Sequence, residues 1–423
     1  MKNKMEISKT YYWMLPVLIL FSITSCRKDN SMGFTPGTGV PTITSVRTLS
    51  KSVVDSSRTS SVTTYNSSGI ATTVTNPNYS PLVTAFDSTT ATGKLGNYYA
   101  ILGTNLGSAT SIAINGVSIY FNRALNSDKA LIFSLPSTVP YTQPQSNAIV
   151  VTTLYGKVTY KFTTLPPPPT VTTVSDYDFT ANSQITLTGK GFASVTAVKL
   201  KSTSDVVTIL SQNDSTLVMK MPASTATESA LLFTYTSGSN TGAQALSPVI
   251  FNDLDNAYVI FNKNSFQNSW ADNSWSGPSG VSTNATFSGT ATISANYPAG
   301  GWQVEGWANW YPSVDYNPDY KYLTFWVKGG TVPHTLVLVG DQMKGGYGQV
   351  QNTNAYAAQL VTVPAKVWTF FKIPLAPSQS STNPGFLNFW ANGSPAKQLG
   401  FFLQGMSGDV NETMYFDEVA FIK

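Results

Sequence analysis

After residue 40 the chain has no long segment with helical periodicity. Short runs rich in Val, Ile, Thr, Tyr and Phe recur between Gly, Asn, Pro and Ser. Examples are Ser111 to Gly116 (SIAING) and Gln184 to Gly189 (QITLTG). Branched and aromatic side chains suit a half-buried pleated strand, and the punctuating residues suit turns. The chain is therefore expected to be all-β. At roughly 100–200 residues per domain, 423 residues make two to four domains.

Composition narrows the function. Only 11% of residues are charged, against about 25% in an average soluble chain. Yet 42% are hydrophobic and 12% aromatic, enough to build cores, so low charge is not a sign of disorder. One His excludes a multi-His zinc site, and a Ser-His-Asp triad would have to be built on His334. One Cys excludes an intrachain disulfide framework and any CxxC motif. A net charge of +4 over this length leaves no electrostatic footprint for nucleic acid.

Residues 1–25 read as a secretory signal. Lys2, Lys4 and Lys9 form a basic start, and Leu15 to Phe21 (LPVLILF) an apolar core too short to span a bilayer as a helix. Ile23-Thr24-Ser25-Cys26 follows directly. Small residues before a Cys at this place resemble the lipobox of bacterial lipoproteins. The resemblance implies cleavage before Cys26 and lipidation of that residue; several acyl chains on one residue give stable anchoring. The alternative is an ordinary signal with a free Cys nearby. Residues 26–40 then hold the lipidated Cys and a polar Gly/Pro-containing tether (RKDNSMGFTPGTGV), and the RKD after Cys26 resembles surface-export signals of some Gram-negative lipoproteins. Without 1–25 the chain has 22 basic and 20 acidic residues, a net of +2. Near neutrality suits a neutral partner better than a polyanion.

Two later stretches share one order of features. Residues 41–165 contain PTITSV, YYAILGTNLGSATSIAINGVSI, ALIFSLP and AIVVTTLYGKVTYKF; residues 166–252 contain PPTVTTV, SQITLTGKGFASVTAVKL, TLVMKMP and ALLFTYTSGSNTG. Each reads as strand, Gly-rich turn, strand, strand ending in Pro, strand and Gly turn. Gly103-Thr104-Asn105-Leu106-Gly107 and Gly189-Lys190-Gly191-Phe192 occupy the first turn. This pattern resembles the IPT/TIG immunoglobulin-like domain, which implies two β-sandwiches. The first carries a Ser/Thr-rich insertion near 50–82, either a hairpin or disordered. Pro166 to Pro169 make a stiff spacer between the two.

Residues 253–423 differ in kind. Eight of the nine Trp lie there, the ninth being Trp13 of the signal, and the domain carries 11 acidic and 8 basic residues. Many alternating strands without helices suggest a β-sandwich of jelly-roll type, an architecture shared with lectins. A sugar ring has apolar C–H faces and hydroxyls that need partners. A glycan site therefore wants flat aromatics flanked by Asn, Gln, Asp or Glu, and Trp is the best platform. Gly301 to Tyr311 (GWQVEGWANWY) has that composition, as has the cluster of Trp270, Asp272, Asn273 and Trp275. Candidate glycan-binding residues are thus Trp270, Trp275, Trp302, Glu305, Trp307, Asn309, Trp310, Tyr311 and Trp326. Trp326 alternates with Thr324 and Lys328, away from Leu323, Phe325 and Val327, so it faces the less apolar side. Trp368, opening the WTFFKIPL strand, reads as packing. For each Trp the competing reading is core filler.

The lipobox, two IPT-like repeats, Pro-rich joint and Trp-rich end closing in YFDEVAFIK together resemble surface glycan-binding protein B, a lipoprotein family of Gram-negative polysaccharide-utilisation systems. The resemblance implies a lipid-anchored, surface-exposed protein of the cell outer membrane, whose C-terminal domain alone holds the glycan while the Ig-like domains act as spacers. It implies non-catalytic capture for an outer-membrane importer and surface glycoside hydrolases, with EGWANW as the best match for the family's binding segment. Neutral β-glucans or hemicelluloses are the first candidates.

Two other classes compete. A glycoside hydrolase needs two carboxyl groups about one bond; Glu305, Asp315, Asp319 and Asp341 are available, but no hydrolase motif surrounds them, and Glu305 reads better as a hydroxyl acceptor. An Ig-like adhesin would use the aromatics on a protein partner. No cofactor is expected. A structural calcium on Asp417 and Glu418 is conceivable, but calcium takes six to eight oxygens, and surface acids on an edge strand are the simpler reading.

Overall fold

A computed structural model describes residues 36–53, 57–65, 71–77, 82–275, 279–348, 354–379, 383–405 and 409–423. The signal segment, Cys26 and most of the tether lie outside the described residues. Among the described residues the regular structure is strands, with helix confined to single 3-10 turns. The chain divides into two compact units, one of residues 1–56 and 79–166, the other of 57–78 and 167–423.

The first unit is a sandwich of two four-stranded sheets. One runs in the order Leu82–Thr90, Thr42–Val53, Tyr98–Thr104, Ala130–Ser134; the other Gly156–Lys161, Ala148–Thr153, Ala109–Ile114, Val117–Ile119. Alternation sends Ile112, Ile114, Ile149 and Val151 of one sheet against Val46, Tyr99, Ile101, Leu131 and Phe133 of the other. The Ser/Thr-rich insertion forms a hairpin, Thr59–Tyr65 pairing with Ala71–Pro77.

The second unit begins with a second Ig-like sandwich, its strands following the order Thr170–Val174, Gln184–Lys190, Thr216–Lys220, Val206–Gln212, Val195–Leu200, Glu228–Ser237, Asn240–Asp253, Asp178–Phe179. The sequence repeat has a physical counterpart. Gly103 pairs with Ile43 and Gly189 with Val171. At both glycines a Cβ would lie 1.8 Å from a carbonyl oxygen, of Thr42 in one copy and Thr170 in the other. No side chain fits there, so each copy keeps Gly where its first strand crosses the turn.

Residues 253–423 form a sandwich of two further sheets. In one, the last strand, Glu412–Ile422, pairs with Tyr258–Asn262, Thr292–Tyr297 and Tyr322–Lys328, the last of which also pairs with Trp368–Pro374. The other runs Ala271–Asp272, Gln303–Ala308, Gln398–Leu403, His334–Val339, Leu360–Val363. Phe325, Phe401, Phe416, Trp307, Leu338 and Phe421 fill the space between them. The last strand is central, which corrects the reading of Asp417 and Glu418 as surface acids on an edge. Both are buried. The register slips from Trp326↔Asp417 to Thr324↔Ala420 around Glu418, whose φ is 49°, and at this bulge two neighbouring acids are both buried on the side of the strand away from Phe416 and Val419 of the core.

Candidate functional site

The Gln303–Ala308 strand decides which aromatics face outward. Its residues alternate between the sandwich core and the outer face of the five-stranded sheet. Trp307 points inward, 1% exposed, against Phe401 at 5.5 Å and Phe416 at 5.6 Å between ring centroids. Trp270 joins the same core at 3% exposed. Glu305, on the inward side of the strand, is 1% exposed. Asn309 is fully buried just past the strand. Its amide donates to the Tyr258 hydroxyl (3.1 Å) and the Asn268 carbonyl (2.8 Å), and its oxygen accepts from the Ser313 amide. These four residues are expected from sequence at a sugar surface and are instead structural. The polar spacing of QVEGWAN reads as a loop, but it belongs to a strand whose inner face is walled by aromatics.

Four expected residues are exposed: Trp275 at 55%, Trp302 at 38%, Trp310 at 60% and Tyr311 at 88%. Trp275 and Trp302 frame the outer face of the five-stranded sheet. The Trp275 amide donates to the Val304 carbonyl (2.9 Å), and its ring meets Tyr347 edge-on at 5.7 Å. Trp302 packs on Phe402 at 5.8 Å. Val304, Val337, Val339, Phe402 and Tyr347 make one apolar cluster on this face. Trp310 and Tyr311 lie past the other end of the strand. At a strand rise of about 3.3 Å, the six steps from Val304 to Trp310 span at most about 20 Å. Tyr347 was not singled out from the sequence. Its signal was available in hindsight only, as the single aromatic within Lys344-Gly345-Gly346-Tyr347-Gly348.

Trp326 sits on the outer face of the other sheet, as its alternation implied, but that face is covered. Its ring lies 4.2 Å from Phe287, 5.2 Å from Phe370 and 6.0 Å from Tyr177 of the second Ig-like sandwich, and its Nε1 donates to Asp176 (3.1 Å). The expected sugar contact is therefore corrected: protein occupies the position. Trp368 packs on Phe287 at 5.3 Å, as expected of a packing residue.

Residues 169–248 match the IPT/TIG domain. No curated protein matches the chain. Among solved structures, the surface glycan-binding protein PbSGBP-B from Prevotella bryantii is similar over 92% of this chain and 99% of its own, at 16% identity and a TM-score of 0.47. An SGBP-B from a complex xyloglucan utilization locus in Bacteroides uniformis is similar over 78% of this chain and 96% of its own, at 17% identity and a TM-score of 0.38. The family 11 carbohydrate-binding module of the cellulosomal cellulase Lic26A-Cel5E of Clostridium thermocellum covers 39% of this chain and 94% of its own, at 13% identity and a TM-score of 0.26.

The IPT/TIG domain meets the C-terminal sandwich through its Ser175 to Asp178 segment. Tyr177 stacks on Phe370 at 4.9 Å. The Asn252 side-chain amide donates to Asp178 (2.6 Å), and Lys372 Nζ donates to Asn252 (2.8 Å) and Glu228 (3.0 Å). Beneath this lattice lie four acids, Asp176 and Asp178 from the IPT/TIG domain and Asp417 and Glu418 from the last strand. Burial raises the pKa of all four, Asp176 to about 6 and Asp417 to about 7. The residues fit a metal poorly. The two Asp417 oxygens accept from the Ser288 amide (2.9 Å) and the Glu418 amide (2.8 Å). Among the described residues no three His, Cys, Asp or Glu side chains are placed to hold an ion. Of the other carboxylates considered for hydrolysis, Asp341 accepts from the Lys397 and Gln398 backbone amides (2.9 Å each).

Proposed function

We propose that this chain is a non-catalytic polysaccharide-binding lipoprotein of the outer membrane surface. It captures a neutral glycan of β-glucan or hemicellulose type and presents it for import and for surface hydrolases. The observation that carries the reading is the separation of the tryptophans. Core and joint absorb Trp270, Trp307, Trp326 and Trp390, whereas Trp275, Trp302 and Trp310 stay exposed on a weakly charged domain. An exposed Trp keeps a large apolar face in water, which suits it to stacking on a sugar ring while its N–H serves a hydroxyl. Aromatic groups at both ends of one strand fit a polymer better than a single sugar. The IPT/TIG domain serves as a base for the C-terminal sandwich, and Cys26 as the anchor.

Native gel electrophoresis of the purified protein through neutral polysaccharides tests this. Retardation by at least one β-glucan or hemicellulose is expected, with no release of reducing sugar. A protein that passes all of them unretarded is not a glycan-binding protein of this kind.

A further inference from the structure

The outer face of the five-stranded sheet has a hole in its side-chain cover. Gly306 and Gly400 lie directly opposite each other on neighbouring strands. Without side chains, this pair leaves a trough one residue wide across the sheet, flanked by Val304 and Phe402. Tyr347 fills it. A Cβ on Gly306 would come within 2.5 Å of the Tyr347 hydroxyl, and one on Gly400 within 2.8 Å of its ring. The ring is 6% exposed, and its hydroxyl donates to the Asn273 carbonyl (3.0 Å), two residues before Trp275. The ring edge also supports Trp275. A phenol ring and a pyranose ring have about the same footprint, so the protein has placed its own six-membered ring where a sugar ring would otherwise reach the sheet.

We infer that Tyr347 is a specificity-determining residue: by filling the Gly306–Gly400 trough it makes the site shallow, so that it takes straight β-1,4-linked glucan chains in preference to bent ones. The inference rests on the glycan-binding reading above. A straight chain needs only aromatic supports along its path, and Trp275, edge-on to Tyr347, and Trp302, packed on Phe402, are exposed rings beside the filled trough. A β-1,3 linkage bends the chain and drives a ring toward the sheet, where Tyr347 already sits. Shape exclusion of this kind discriminates by roughly tenfold or more.

The test compares the whole protein with Tyr347→Ala and Tyr347→Phe on affinity gels containing hydroxyethyl cellulose or mixed-linkage β-1,3/1,4-glucan, with thermal melts to confirm folding. The wild type is expected to be retarded more by the β-1,4 polymer. Y347A should move the ratio of the two affinities toward mixed-linkage glucan by roughly tenfold. Y347F keeps the ring, loses only the bond to Asn273, and should keep the wild-type ratio. Equal weakening on both polymers in Y347A, an unchanged ratio, or Y347F behaving as Y347A would each overturn the role. A wild type retarded by neither polymer but by another neutral glycan overturns this inference and leaves the general reading standing; one retarded by none overturns both.

Discussion

At the residue scale, tryptophans next to one another in sequence do opposite work. Trp307 and Trp310 are three positions apart, yet one is 1% and the other 60% exposed. Replacing Trp307 by Ala should cost about 3–5 kcal/mol of stability through the cavity it leaves. That loss appears as a lower melting temperature, with glycan retardation intact in the fraction that stays folded. Trp275→Ala and Trp302→Ala should do the reverse: melting nearly unchanged, and binding weakened roughly five- to tenfold if each stack contributes about 1 kcal/mol. A W307A protein that melts like the wild type but binds nothing would return Trp307 to the ligand. Tryptophan density, visible in composition, is what points to the domain in which the site is proposed. It did not tell which ring faces water. QVEGWAN has the polar spacing of a loop, and only pairing with Gln398–Leu403 shows it to be a strand with Glu305 and Trp307 turned inward. Alternation did place Trp326 correctly on the less apolar face. Sequence periodicity reports the face and is silent about what covers it.

At the scale of elements, two sets of carboxylates give the protein opposite responses to pH. The Asp176, Asp178, Asp417 and Glu418 group is raised by burial. Groups raised in the folded state stabilise fully below the unfolded carboxylate pKa of about 4, and that stability is lost as pH rises through the folded values, here about 6 to 7. The melting temperature should therefore fall between pH 5.5 and pH 8. Asp176→Asn should flatten that slope, and a wild type that melts alike at both values would show that these acids do not share the burial described. Glu412 works the other way. Burial opposes its charge, but the Thr331 and Val332 amides, the Thr331 hydroxyl and His334 together hold its carboxyl below the usual range. A depressed group stabilises above its unfolded pKa, and its contribution is lost as pH falls through the folded value. Glu412→Gln should thus be destabilised at pH 7, and the difference from wild type should shrink in acid melts. The alternating strands made the existence of these elements legible. The bulge that buries both Asp417 and Glu418 against the IPT/TIG domain was not, because register slips depend on the partner strand.

At the scale of the whole molecule, the all-β character was readable, and composition separates plain Val/Thr strands in the Ig-like copies from aromatic strands in residues 253–423. The close backbone crossings at Gly103 and Gly189 give the repeat a physical basis. What the sequence hid is that the third domain is not separate from the second. Residues 253–423 alone would expose Trp326 and Phe370, a face that Tyr177 and Asp176 cover in the intact chain. A chain starting at 167 should therefore melt higher and aggregate less than one starting at 253, while both bind glycan. Equal melting temperatures would show the cover to be incidental.

That cover also divides the protein's intrinsic emission. Every tryptophan except Trp13 lies in residues 253–423, so beyond Trp13 fluorescence is blind to the two Ig-like sandwiches except through Trp326. Buried under Tyr177 and Phe287, Trp326 emits from an apolar setting, whereas Trp275 and Trp310 emit from water. A red shift without loss of ligand quenching would signal parting of the second and third domains. Quenching without a red shift would signal occupied rings on the rim. One cuvette thus distinguishes a mechanical event from a binding event, with no label added.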